Sequence, residues 1–297
     1  MSARIRWAAA TVIVLSSLAP AAAQDDEVLK VEVDLVTVNV SVTDGGKRPV
    51  TGLRASHFQV SDEGRAVSLE FFDGQGPASI VFVVDVSSSM RDKKWGKMTG
   101  ALRKFLDRAR EGDDYTLVAF GDRPQLIAES VGAEELWQRV SALKPEGGTA
   151  LYDAVLVGLE ALGRAPRRHK ALVLLSDGQD NRSRARLARV QREALARRAT
   201  LYAVGITRDR YLDNLPEQRE GKKILKGLAA ATGGLAFFPE PDEISGVLDG
   251  INADLSGQYT LGYYAADKEP GWRNIRVSLD PAPRPYQLRY PPRYLKR

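Results

Sequence analysis

Two uninterrupted apolar runs constrain this chain more than any other feature. They are "SIVFVVDV" at 79–86 and "KALVLLSDG" at 170–178. Neither alternates apolar with polar residues over its greasy part. Each therefore reads as a strand buried on both faces, the kind found in a parallel sheet covered by helices. The sequence between and beyond them supplies those helices. Met98, Ala101, Leu102, Phe105, Leu106 and Ala109 fall at helical spacing, as do Leu151, Ala154, Val155, Leu159 and Leu162. "YTLVAF", "TLYAVGI" and "LAFF" read as further strands. "NRSRARLARVQREALARR" reads as a helix with Leu187, Val190, Ala194 and Leu195 inward, and "KKILKGLAAATGG" as a helix stopped by glycine. Ile244, Val247, Leu248, Ile251 and Leu255 mark a last helix. Strand–helix alternation of this kind predicts an α/β, doubly wound, mostly parallel sheet built with right-handed crossovers.

The flanks follow another period. "VEVDL" and "VTVNVSV" alternate in opposite phases, with a slip at Leu35–Val36 that reads as a bulge or a break. "FQVSDEGRAVSLEFF" reads as two short strands around an Asp-Glu-Gly turn, and "QYTLGYY", "NIRVSL" and "YQLRY" close the chain. The expected organisation is a leader at 1–23, an N-terminal β segment at 24–77, an α/β domain at 78–256 and a C-terminal β segment at 257–297. The two β segments together hold enough strands for one sandwich with the α/β domain inserted between its halves. Separate small sheets packed on the central domain give the same pattern.

The leader is read from Arg4 and Arg6, the short apolar run "WAAATVIVLSSLA" and the small residues at 21–23. These are the parts of a secretory signal, with cleavage expected after Ala23 and an uncleaved anchor as the alternative. No other run is long and apolar enough to span a bilayer. Export is therefore expected, to a periplasm or the exterior. The chain has no cysteine, which excludes disulfides, a thiol nucleophile and a zinc–thiolate site. Net charge is +5, of which the leader arginines contribute two. Arginines cluster in "RAPRRHK" and along the 181–198 helix. The helix cluster reads as a solvated face, with a site for an acidic partner as the alternative. Nucleic acid is not an expected partner of an exported chain.

Three polar groups fall where ligands sit in such sheets, beyond the carboxyl ends of the strands. Asp85, Ser87 and Ser89 follow the first buried strand. Thr149 lies in the glycine-rich loop of "PEGGTALYDAV", and Asp177 follows the second buried strand. Adjacent parallel strands would bring all three together. Two carboxylates and three hydroxyls, all oxygen, suit a hard divalent cation such as Mg²⁺, with Mn²⁺ or Ca²⁺ as alternatives. The carboxylates neutralise the ion, and the hydroxyls leave it short of one anionic oxygen. Asp153 and Asp180 nearby read as capping or supporting groups.

"DVSSSM" resembles the Asp-x-Ser-x-Ser signature of the von Willebrand factor type A family, and Thr149 and Asp177 match the two distant members of its metal-ion-dependent adhesion site. The resemblance covers about 78–256. It implies Ser87, Ser89 and Thr149 as direct ligands, with Asp85 and Asp177 binding directly or through water. The flanks "VTVNVSVTDGGKRPVTGLRASHFQVSDEG" and "GQYTLGYYAADKEPGWRNIRVSLD" are similar to exported bacterial "VWFA-related" proteins. The implied function is a metal-dependent protein-binding module that engages an acidic side chain of its partner. Two alternatives stay open: a metal-dependent hydrolase, and an envelope scaffold with a purely structural ion. Against catalysis, the only histidines are His57, in the N-terminal β segment, and His169, at the amino end of its strand. Neither is placed to serve Ser87 or Ser89 as a base. No catalytic residue and no organic cofactor is expected, and no Gly-x-x-x-x-Gly-Lys loop is present.

Overall fold

The first apolar run is strand β5 (Ala78–Asp85), buried along its whole length. Its pleat sends successive side chains into two separate cores. Ile80, Phe82 and Val84 share one core with Met98, Leu102 and Phe105 of α1 (Lys93–Leu106) and Leu248 and Ile251 of α6 (Ile244–Ser256). Val81 and Val83 share the other with Val155 and Leu159 of α3 (Leu151–Arg164), Val190 and Ala194 of α4 (Leu187–Ala196), and Leu225 and Leu228 of α5 (Pro216–Ala231). The lack of alternation in the sequence thus reports a sheet covered on both faces.

That sheet has six strands in the order β10-β9-β8-β5-β6-β7. Here β6 is Asp114–Phe120, β7 Pro124–Val131, β8 His169–Ser176, β9 Thr200–Gly205 and β10 Ala236–Phe237. All pairings are parallel except the antiparallel β6–β7. The doubly wound expectation therefore holds. Two elements of this α/β layer escape the sequence reading. β7 is an edge strand with an irregular register against β6 and mostly exposed side chains. It is followed by the short α2 (Ala133–Ser141), which buries only Leu136 and Val140.

The structure is a computed structural model that describes residues 35–296, apart from 47, 198, 207–214, 266, 268 and 281–284. The expected leader and most of "VEVDL" lie outside them. From Leu35 on, strand β1 (Leu35–Asp44) pairs in continuous register with β11 (Gln258–Tyr264). No bulge interrupts the described side of the expected slip.

The two flanks interleave. One four-stranded sheet runs β13-β1-β11-β4 and a second β14-β12-β2-β3. The N-terminal flank provides β1, β2 (Phe58–Asp62), β3 (Arg65–Val67) and β4 (Phe71–Asp73). The C-terminal flank provides β11, β12 (Gly271–Leu279), β13 (Tyr286–Arg289) and β14 (Arg293–Lys296). Val36, Val38, Val40 and Val42 from the first sheet share one core with Phe58, Val60, Ile275 and Val277 from the second. This is a sandwich, and each of its sheets needs strands from both ends of the chain. A buried ion pair pins the second sheet: Arg273 Nε donates to Asp62 Oδ1 and Tyr294 OH to Asp62 Oδ2, each at 2.9 Å.

The other face of the β1–β11 sheet lies on the α/β layer through polar contacts. Tyr202 of β9 donates to Asp254 Oδ2 of α6 at 2.5 Å. Gln258 Nε2 donates to Tyr202 OH at 2.9 Å and to Ser41 Oγ at 3.2 Å. Arg289 pairs with the second oxygen of Asp254. This explains why Ser41 and Gln258 are buried although they are polar.

Candidate metal site

Strands β5 and β8 are neighbours, and Val84 pairs with Leu175. Their next residues, Asp85 and Ser176, end the two strands side by side. The chain leaves β5 for α1 and β6 on one side, and leaves β8 for α4 and β9 on the other. The crevice between them is the switch point where ligands bind in doubly wound sheets.

Asp85 is fully buried, and both of its oxygens are occupied. Oδ1 accepts the Ser87 N–H at 2.8 Å, and Oδ2 accepts the Ser176 hydroxyl at 2.9 Å. Burial pushes its pKa from 3.8 up to about 6. Hydrogen bonding from Ser87 opposes that rise, and the Asp177 charge adds to it. Ser87 Oγ and Ser89 Oγ stand 3.0 Å apart, and Ser89 Oγ donates to Asp177 Oδ2 at 3.2 Å. The other Asp177 oxygen accepts the Gln179 N–H at 3.1 Å. Asp85, Ser87, Ser89 and Asp177 therefore form one connected cluster of oxygens.

Thr149 is brought to this crevice by its backbone. Its N–H donates to Asn181 Oδ1 at 2.9 Å, and its carbonyl accepts the Asn181 and Arg182 N–H groups at 3.0 and 3.1 Å. On the other side of the loop, the Gly147 carbonyl accepts the Ser88 N–H at 3.1 Å. The Thr149 loop is thus tied to the serine segment on one flank and to the segment after Asp177 on the other. Asp122, just past the carboxyl end of β6, also holds it, accepting the Gly148 N–H at 2.8 Å while paired with Arg182 at 3.2 Å.

These contacts explain why α4 starts at Leu187 rather than near Asn181. The backbone from Asn181 to Ala185 is spent on other partners. Asp153 accepts the Arg184 and Ala185 N–H groups, each at 2.9 Å, and Asp180 accepts the Tyr152 N–H at 3.4 Å in the first turn of α3. The capping and supporting roles expected for Asp153 and Asp180 are what the structure places there. Ser176, Asp122 and Asn181 are supports that sequence reasoning missed. Ser176 and Asp122 carry a faint signal, a hydrogen-bonding side chain at the carboxyl end of a buried strand. Asn181 carries none.

The turn after β8 also depends on close approach. Gly178 has φ +84°, and a Cβ there would lie 2.5 Å from the Gly221 carbonyl oxygen of α5. A Cβ on Gly221 would lie 2.6 Å from the Asp177 carbonyl oxygen. Only a glycine pair lets the Asp177 turn rest directly on α5. At the opposite rim, Asp92 adopts φ +65°, rare for a residue with a side chain. It lines an open cleft of about 430 Å³ with Ser88, Ser89, Arg91 and Lys93.

Chemically, the cluster offers oxygen donors only. Among the described residues no group of three or more His, Cys, Asp or Glu is placed to hold a metal. A hard cation held by two carboxylates and completed by hydroxyls fits this set, and a soft or borderline metal does not. The histidines stand elsewhere. His169 opens β8, at the end away from Asp177, with Nδ1 3.3 Å from Thr260 Oγ1 and Nε2 3.6 Å from Asp73 Oδ2. His57 accepts the Arg54 N–H on the exposed surface.

A family model described as the von Willebrand factor type A domain matches residues 79–245. Inter-alpha-trypsin inhibitor heavy chain H3 of Bos taurus is 28% identical over 176 residues, 52% of this chain and 20% of that protein. Heavy chain H4 of Sus scrofa is 30% identical over 143 residues, 43% of this chain and 16% of that protein. The matched region thus spans a fifth or less of these relatives. Among solved structures, the von Willebrand factor type A protein from Catenulispora acidiphila superposes with a TM-score of 0.50 at 14% identity, covering 88% of this chain and 73% of that one. The vWF domain of the type V pili tip protein Mfa5 from Porphyromonas gingivalis gives 0.50 at 14% identity, covering 60% and 95%. At such identity the likeness concerns the fold alone. With the family model spanning more than half of its length, the chain belongs to the von Willebrand factor type A domain family.

Proposed function

We propose that this protein is an exported, non-catalytic binding module that engages a carboxylate of a protein partner through a divalent cation. Mg²⁺ is the first choice, with Mn²⁺ or Ca²⁺ as alternatives. The observation that carries the reading is the Ser89 hydroxyl, within hydrogen-bond distance of both Ser87 Oγ and Asp177 Oδ2 at the switch point. In this reading Ser87, Ser89 and Thr149 ligate the ion, and Asp85 and Asp177 contact it directly or through water. The ion supplies an electrophilic position that an incoming carboxylate oxygen can fill. Asp85 and Asp177 balance its charge, so the partner must bring the missing anionic ligand. Arg91 and Lys93 on the adjacent cleft favour an acidic approach. Nucleic acid has no part in this reading.

The placement of both histidines away from the crevice supports a non-catalytic role. The leader at 1–23 is proposed to direct export and to be removed after Ala23, leaving no membrane span. Among the described residues no helix is long and apolar enough to cross a membrane. We also propose that 24–77 and 257–297 form one sandwich unit into which 78–256 is inserted.

The test is capture of proteins from an envelope or culture extract on the immobilised chain. Capture with Mg²⁺, lost with EDTA and lost in Ser89→Ala, is expected. Capture unaffected by EDTA would favour the scaffold reading, and Mg²⁺-dependent turnover of a captured protein would favour the hydrolase.

A further inference from the structure

The "RAPRRHK" segment joins α3 to β8, at the opposite end of the sheet from the crevice. It lines a cavity of about 390 Å³ with β1 and β11 of the sandwich. Among the described residues the walls include Arg167, Arg168, Lys170 and Arg197, together with Thr37 and Asn39, and no acidic residue. Two of the cations have an acid outside the cavity: Arg167 stands 3.5 Å from Asp114, and Arg197 stands 3.8 Å from Glu193. Arg168 and Lys170 have no acid within ion-pair distance among the described residues. The walls therefore carry two positive charges in excess.

The cations are also held ready. The Arg168 guanidinium carbon lies over the Phe71 ring, 4.4 Å from its centroid, a cation–π contact that uses none of its N–H donors. Arg167 Nε is buried without a hydrogen-bond partner. Asn39 spends its Oδ1 on the Thr260 hydroxyl at 3.0 Å, so its amide nitrogen remains as a donor. Burial lowers the pKa of Lys170, and the more distant Asp114 charge opposes that fall only in part.

We propose that this cavity is a second binding site, for a doubly charged tetrahedral oxyanion of the phosphate or sulfate type. A dianion matches the excess charge, and arginine forks and an amide donor match its oxygens. The cavity is larger than one such group, so the oxyanion is carried on a larger molecule as an ester or an anhydride. The site lies between the sandwich and the α/β layer and is separate from the crevice, so it does not depend on the metal-site reading.

The test is isothermal titration calorimetry of the whole chain at fixed ionic strength in chloride, without divalent ions. The probes are inorganic phosphate, sulfate and pyrophosphate. One site per chain is expected, with pyrophosphate tightest. Lys170→Gln and Arg168→Gln should each weaken it at least tenfold while keeping the wild-type melting curve in chloride. No binding of any probe, or equal binding by the variants, would overturn the proposal. Should Lys170→Gln misfold, Arg168→Gln alone decides, because Arg168 is exposed and its packing partner is the Phe71 ring, which a glutamine side chain can still cover.

Discussion

A carboxylate with both oxygens hydrogen-bonded still costs free energy when it is buried and faces no cation. Without a bound ion Asp85 would be in that position, and its rise from 3.8 to about 6 corresponds to about 3 kcal/mol of destabilisation at neutral pH. The sign follows from its direction. Above pH 6 the group is ionised in both states and the folded state bears the penalty, which fades as pH falls toward 3.8. Asp85→Asn keeps an acceptor for the Ser87 N–H and offers an amide to Ser176 Oγ. Chemical denaturation of the ion-free variant should therefore show a gain of up to about 3 kcal/mol. A loss would mean that the charge is already compensated. Thr149 makes the opposite case. It is neutral, and its loop is held by backbone bonds to Asn181 and Ser88 rather than by its hydroxyl. Thr149→Ala should leave the fold intact, weaken the ion modestly and reduce partner capture severely. Normal capture by this variant would make the ion structural.

At the scale of elements, the site depends on where strands end and on what those ends rest against. Gly178→Ala would push a methyl into the Gly221 carbonyl at a residue with positive φ. The cost should be on the order of 2 kcal/mol, combining backbone strain with overpacking. Because α5 and the Asp177 turn must part to admit the methyl, ion affinity should fall as well. A melting temperature unchanged by the substitution would show that this contact is slack. The same scale explains what could be read from sequence. Strands β5 and β8 were legible because burial on both faces removes alternation, and the placement of Asp85, Ser87, Ser89 and Asp177 was legible because they end or directly follow those strands. β7 was not, since a half-exposed edge strand with an irregular register leaves no period to detect. Ser176 was hidden by its place at the end of an apolar run, where a serine reads as the first residue of a turn. Asn181 reaches Thr149 across 32 positions, and nothing local marks so distant a partner.

Over the whole molecule, the sandwich and the α/β layer meet on polar contacts, so pH should act at their junction. His169 lies there, between Asp73 of β4 and Thr260 of β11, with Arg110 and Asp113 also acting on it. Burial holds its pKa below the ordinary value of 6.5, against the pull of Asp73. The unfolded chain therefore takes up a proton that the folded one refuses. Stability should fall as pH drops below about 6.5, by at most about 1.4 kcal/mol per pH unit from this group. Asp85 acts in the opposite sense below pH 6, so the comparison is between variants: from pH 7 to pH 5 the wild type should lose stability relative to His169→Gln. Identical slopes would remove His169 from the account. The strand order of the sandwich was beyond the sequence for a related reason. Val38 pairs with Leu261 and Val60 with Val277, across more than 200 positions, and alternation identifies a strand without naming its neighbour.

A thermal titration with Mg²⁺ tests whether the oxygens at the switch point hold a hard divalent cation. An ion that binds only the folded state at a hundred times its dissociation constant stabilises by about 2.7 kcal/mol. For a chain of this size that is a rise in melting temperature of roughly 5 to 11 °C. This rise is expected in the wild type, and its absence in Asp85→Asn. No rise with Mg²⁺, Mn²⁺ or Ca²⁺, or an equal rise in the variant, would contradict it.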